Sequence, residues 1–250
     1  MILNIALREL RSLFFSPLAW IILGVIQAIM AWKFLGFIDY FFELQPELIK
    51  IKNAPGVTDL IVAPLFDFSK ILLLIVCPLI TMRLLSEEKQ NGSLKLLLSS
   101  PVSMTEIILG KYLGALLFFS FIILLIGLMP LSLISATDLD MGKYASGMLG
   151  QFLTVAAFIS LGLYMSTLSK HPANAAVGTF GLLILFFIIN IASNATTGGD
   201  NFFDYLSITH HSIQMLRGIV NTADIAYFIL FSAGFISLSI RQLDSQRLQS

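Results

Sequence analysis

Charge is scarce in this sequence. Of its 250 residues only 12% are Asp, Glu, Lys or Arg, and 15 acids balance 15 bases to a formal net charge of zero. A chain with no basic surplus lacks the field that draws proteins onto nucleic acid, so no nucleic-acid partner is expected. Cysteine is scarcer still. Cys77 stands alone, which excludes an intramolecular disulfide and any thiolate metal site built from one chain. The adjacent His210 and His211 do not share a helix face and have no ligand cluster beside them, so no metal is expected.

Catalytic signatures are missing as well. The Gly-Lys pairs Gly110-Lys111 and Gly142-Lys143 are each followed by tyrosine, and Thr105 and Thr137 stand where a phosphate-binding loop needs its earlier glycine. No amide cradle for a nucleotide is therefore encoded. Glu87-Glu88 has Gly92 where a glutamate-pair membrane protease would carry arginine, and neither H-E-x-x-H nor G-x-S-x-G occurs. Mid-span charges, the usual mark of ion-coupled transport, are also lacking. Lys33, Asp67 and Lys70 fall near span ends, with Asp67 and Lys70 spaced to pair across one turn, and Gln27 is the most central polar residue.

What is present is apolar. Hydrophobic residues make up 57% of the chain, with 21 phenylalanines, and the mean hydropathy is +0.88. A spanning helix needs about 20 such residues. Candidate spans cover residues 17–38, 68–84, 107–134, 145–168, 173–192 and 223–240. The expected fold is an all-α, multi-pass integral membrane protein with six transmembrane helices in one domain. Residues 39–66 and 193–222 form external segments, 85–106 a cytoplasmic one, and 241–250 a cytoplasmic tail. The first apolar run is too long for a cleavable signal peptide and no small-x-small site follows it.

With both termini inside, nine of the 15 basic residues (Arg8, Arg11, Arg83, Lys89, Lys95, Lys111, Lys170, Arg241 and Arg247) fall on the cytoplasmic side. That bias agrees with the positive-inside rule.

The opening "MILNIALRELRSLFF" places Ile2, Leu3, Ala6, Leu7, Leu10, Leu13 and Phe14 in one helical sector. Asn4, Arg8, Glu9, Arg11 and Ser12 occupy the other, the pattern of a helix lying in a lipid interface. Ser16-Pro17 ends it. Between spans two and three, "LSEEKQNGSLKLLLSSPVSMTEIILGK" is too polar for lipid and too leucine-rich for a solvated connector. Asn91-Gly92 makes a turn, Leu94, Leu97 and Leu98 have helical spacing, Ser100-Pro101 stops the run, and Ser103-x-x-Glu106 has the form of a capping box. Leucines exposed there with no partner in the chain mark a docking surface, the alternative being that they dip into the membrane interface. Gly110-x-x-x-Gly114 suits close packing of the third span against a neighbour. In the second external segment, Ile213, Leu216, Ile219 and Val220 share a helical face and predict a short surface helix.

The stretches "RELRSLFFSPLAW" and "RLLSEEKQNGSLKLLLSSPVSMTEIILGKYLG" resemble membrane subunits of ABC-2-type exporters, most of all the gliding-motility and copper-maturation permease branch. The resemblance implies a non-catalytic permease with an N-terminal elbow helix and a coupling helix between spans two and three, in a bacterial cytoplasmic membrane. It implies two separate ABC ATPase subunits carrying ATP and Mg, a second permease copy, and an additional periplasmic or membrane subunit in some systems. The ATPase-contacting role maps onto Glu87, Glu88, Gly92, Ser93, Leu94, Leu97, Leu98, Pro101 and Ser103, and the elbow onto Leu7, Arg8, Leu10, Arg11 and Phe14. Gly110 and Gly114 serve helix packing. Two other readings stay open at this point: an ATP-independent transporter or channel, and a membrane anchor passing ATPase motion to an external partner.

Overall fold

Local signals set the first corner of the chain. Helix α1 (Ile2–Phe15) stops at Ser16, held extended (φ −78°, ψ 123°) before Pro17, which opens α2 (Pro17–Leu48) at the position proline favours. The Trp20 indole donates to the Phe14 carbonyl at 2.7 Å and pins the corner. The computed structural model describes residues 1–50, 54–93, 102–135, 137–195 and 207–247, and among these every regular element is helical. A wide π turn (Thr58–Val62) leads into α3 (Ala63–Thr81), and a break at Met82 separates it from the polar α4 (Arg83–Gln90). Then come α5 (Met104–Leu131), α6 (Met141–Leu168), α7 (Pro172–Ala195), α8 (Ile208–Leu216) and α9 (Thr222–Arg247).

Among the described residues, five segments are long and apolar enough to cross a membrane: 17–48, 58–90, 104–135, 141–168 and 222–247. The expected sixth span falls on α7, whose apolar part over Pro172–Ile188 is shorter. Several helices outrun their apolar stretches. α2 continues past Ile38 through Tyr40–Phe42 and Pro46 to Leu48, into the expected external segment, and α9 passes Ile240 to Arg247. Hydropathy measures lipid depth, whereas a helix ends where its backbone bonding fails. The short surface helix also differs from expectation. Gly218, at φ 86°, ends α8 before Ile219 and Val220 can join it, and its buried face is Ile208, His211, Ser212 and Met215.

Helix α6 is the axis of the bundle, packing against α3, α4, α5, α7, α8 and α9. Thr154 through Leu163 are all buried, which requires a helix without a polar face. Small residues let its neighbours close in. A Cβ on Gly162 would lie 2.7 Å from Thr81 Cβ, and one on Gly150 2.9 Å from Met215 Cβ. α2, by contrast, buries only the stripe Ala19, Ile26, Met30 and Phe34 and leaves Trp20, Val25 and Trp32 exposed, as a lipid-facing helix would.

The bundle has two distinct ends. The one bearing α1 and α4 also carries the N-terminus and the last described turn of α9. At the opposite end Asp140 caps α6 through Gly142 N and Lys143 N, and Lys143 Nζ pairs with Asp59 at 2.8 Å. There Ser146 Oγ donates to the Met215 carbonyl of α8, and His211 Nδ1 lies 2.6 Å from Asp224 Oδ1 of α9.

The Gly162–Thr81 contact tests this packing. Gly162→Val should cost roughly 1–3 kcal/mol, read as a lower midpoint of thermal unfolding in detergent. Thr81→Ala should rescue it only in part, because it removes the Oγ1 that lies nearest but leaves the Thr81 Cβ in the way. Wild-type stability in Gly162→Val would contradict the packing described.

Candidate functional site

The polar root of the connector meets the bundle around one side chain. Lys111, one turn beyond Ile107 in α5, is 1% exposed. Its Nζ lies 2.8 Å from Glu88 Oε1 of α4 and 3.1 Å from Glu9 Oε2 of α1. Three helices thus share one ammonium. Glu88 Oε2 is buried without a hydrogen-bond partner among the described residues.

Flanking glycines make the contact reachable. A Cβ on Gly110 would lie 2.6 Å from Ile5 Cβ, and one on Gly114 2.9 Å from the Ala6 carbonyl oxygen and 2.7 Å from Glu9 Cβ. Gly110 and Gly114 therefore form the floor on which α1 lies, and close approach brings Glu9 within reach of Lys111. α1 sits with Ala6 buried and Leu10 partly buried against the core, while Leu3, Leu7, Arg8 and Arg11 are exposed. Its polar sector is thus not all solvent-facing: Glu9 turns to α5. Phe14 packs edge-on to Phe118 and Phe121 with centroids 5.3 and 5.6 Å away.

α4 is rooted in α6 by a second set of bonds. The first N–H groups of a helix have no partner within it, and those of Leu85 and Ser86 both donate to Ser166 Oγ at 3.0 Å. Ser166 Oγ in turn donates to the Met82 carbonyl at 3.2 Å. Lys89 Nζ donates to the Thr167 carbonyl, and Gln246 Nε2 of α9 donates to the same oxygen at 3.2 Å. A lysine and an amide thus satisfy a carbonyl in the last turn of α6. Beside α4, a cavity of about 140 Å³ is bordered by Glu9, Ser12, Leu13, Arg83 and Glu87.

Of the residues mapped to an ATPase contact, Glu87 is exposed on α4 and Glu88 is taken up by Lys111. Gly92 turns the chain at φ 73°, and Ser93 Oγ donates to the Glu88 carbonyl. Ser103 caps α5 in a reciprocal box with Glu106. Leu94, Leu97, Leu98 and Pro101 lie outside the described residues. The sequence reading did not find the roles of Glu9, Lys111, Ser166, Thr167 and Gln246. The available signal was Lys111 itself, a lysine inside an apolar helix between two glycines.

Removing one partner of a buried ion pair leaves uncompensated charge, at a cost of roughly 3–5 kcal/mol. Lys111→Met should therefore release α1, giving faster tryptic cleavage after Arg8 and Arg11 in detergent. The triple variant Glu9→Gln/Lys111→Met/Glu88→Gln should recover most of the protection. Unchanged cleavage in Lys111→Met would mean that the glycine floor alone holds α1.

Among curated proteins, no relative matches this chain. Compared with known families, residues 3–240 match the one described as ABC-2 family transporter protein. The match runs from α1 almost to the end of α9 and takes in the Lys111 cluster and the connector root. This chain belongs to the ABC-2 transporter family.

Proposed function

We propose that the chain is the permease subunit of an ATP-driven exporter, working as a pair of copies with two separate ATPase subunits that carry ATP and Mg. Family membership over residues 3–240 supports a permease. The order E-E, N-G-S-L, L-L-L, S-P-V-S and L-G-K-Y over residues 87–112 supports the gliding-motility and copper-maturation branch. In this reading the end bearing α1 and α4 faces the bacterial cytoplasm, α7 completes six passes, and α1 is the elbow helix.

The observation that carries the reading is the Lys111 cluster. An ATPase acts on such a permease only if displacement of the connector reaches the membrane helices. Glu88–Lys111–Glu9 joins α4 to α5 and α1, while Ser166 and Thr167 join it to α6. A push on the segment that follows α4 is then delivered to α5, to α1 and to the central helix together, and is not absorbed by a loose hinge. The helical spacing of Leu94 and Leu97, beyond that root, supplies apolar anchors for the ATPase surface. Cargo movement follows from the rearrangement of α5 and α6 relative to the lipid-facing helices of the two copies.

The test is co-purification of the tagged full chain from native membranes in mild detergent. The wild type should bring down an ATPase with a phosphate-binding loop, and Leu94→Asp/Leu97→Asp should lose at least about 90% of it, a loss of ~1.4 kcal/mol or more, while remaining inserted. Wild-type chain that recovers no ATPase, under conditions that preserve other transporter complexes, would overturn the proposal.

A further inference from the structure

The end of the bundle away from α1 and α4 holds a second buried lysine that the coupling reading does not use. Lys70 is 8% exposed. Its Nζ lies 3.0 Å from Asp67 Oδ1, one turn back on α3, and donates to Ser212 Oγ of α8 at 3.0 Å. An ammonium has three hydrogens to donate, and among the described residues these are its two acceptors. Lys70 also borders a cavity of about 190 Å³ between α3, α6, α7 and α8, so the cavity lies beside an ammonium with one donor still to be matched.

The two members of the Asp67–Lys70 pair differ in environment. The Asp67 side chain is 57% exposed and that of Lys70 is 9% exposed. The carboxylate, itself on the cavity wall, competes for the ammonium, but as the more exposed of the two it is the more screened by solvent. Thr209 adds a hydroxyl group at the same end, while Leu74, Phe158, Phe187 and Ile208 supply apolar wall. The cavity suits an anionic oxygen at one end and hydrocarbon at the other.

Its surroundings extend the hydrocarbon side. Ile71 borders the cavity and is exposed, and Ile75 and Leu79 are exposed below it at four-residue spacing. Residues four apart lie one above another on a helix, so an open apolar stripe leads from the cavity along α3 toward the terminal end. A soluble anion would match Lys70 and leave that stripe bare. We propose that this is a binding site for an anionic phospholipid, with a phosphate oxygen on Lys70 and an acyl chain along Ile71, Ile75 and Leu79. The site stands apart from α1 and α4, and the proposal holds whether or not an ATPase binds the other end.

Native mass spectrometry of the full-length chain, stripped of lipid in mild detergent and given defined lipids, tests it. Wild type should retain one phosphatidylglycerol with about tenfold preference over phosphatidylcholine, equivalent to ~1.4 kcal/mol. Lys70→Met should lose the preference and Lys70→Arg keep it. Asp67→Asn, which leaves the cation in place and removes its competitor, should strengthen retention, so the proposal stays testable if Lys70→Met fails to fold. Equal retention of the two lipids by wild type, or an undiminished preference in Lys70→Met, would overturn it. Displacement of the lipid by soluble glycerol phosphate at equal concentration would also overturn it, by assigning the site to free phosphate.

Discussion

One ammonium, that of Lys111, is withdrawn almost completely from water between two carboxylates, and the architecture of the terminal end follows from how it is neutralised. A charge in that position is tolerable only if partners are held in place. One partner arrives on the first helix of the chain and the other on the polar extension of the third. α1 therefore cannot float freely in the lipid interface, and α4 cannot swing as an independent lever. The glycines at 110 and 114 serve the same constraint by letting the α1 backbone come close enough for Glu9 to reach. Each of these features has little meaning without the others.

The rest of the bundle is organised by the absence of charge. α6 is buried on all sides through its middle, where Thr154 donates to the Gly150 carbonyl and Ser160 to that of Ala157, while Tyr112 of α5 donates to the Ala156 carbonyl and Gln151 Nε2 to Ser69 Oγ of α3. With no water in the hydrocarbon region, buried polar groups must find such partners within the protein. Further polar contacts between helices stand at the two ends: Ser166 and Thr167 at one, Asp59–Lys143, Lys70–Ser212 and His211–Asp224 at the other.

Much of this was legible in the residues. Ser16-Pro17, Asn91-Gly92 and Ser103-x-x-Glu106 each sit where a helix ends or begins, because those signals act through the local backbone. The order of apolar runs followed the order of long helices for the same reason. Features that depend on distant partners were not legible. Glu9 read as a solvent-facing residue because its periodicity is polar, and nothing in α1 indicates a lysine a hundred residues away. Helix lengths were missed at α2 and α9, where polar residues extend helices past the hydrocarbon. At α8 a single left-handed glycine, Gly218, ended a helix whose apolar spacing ran on to Val220.

The central claim is that α1, α4 and α5 move as one body through Lys111. Electron–electron resonance between spin labels at Arg11→Cys and Glu87→Cys, both exposed positions, with buried Cys77 replaced by serine, tests it directly. The account predicts a narrow α1–α4 distance distribution that keeps its mean when the proposed ATPase is added with ATP, and broadens in Lys111→Met. A distribution that is already broad in the wild type, or whose mean shifts with nucleotide while Lys111 is intact, would contradict it.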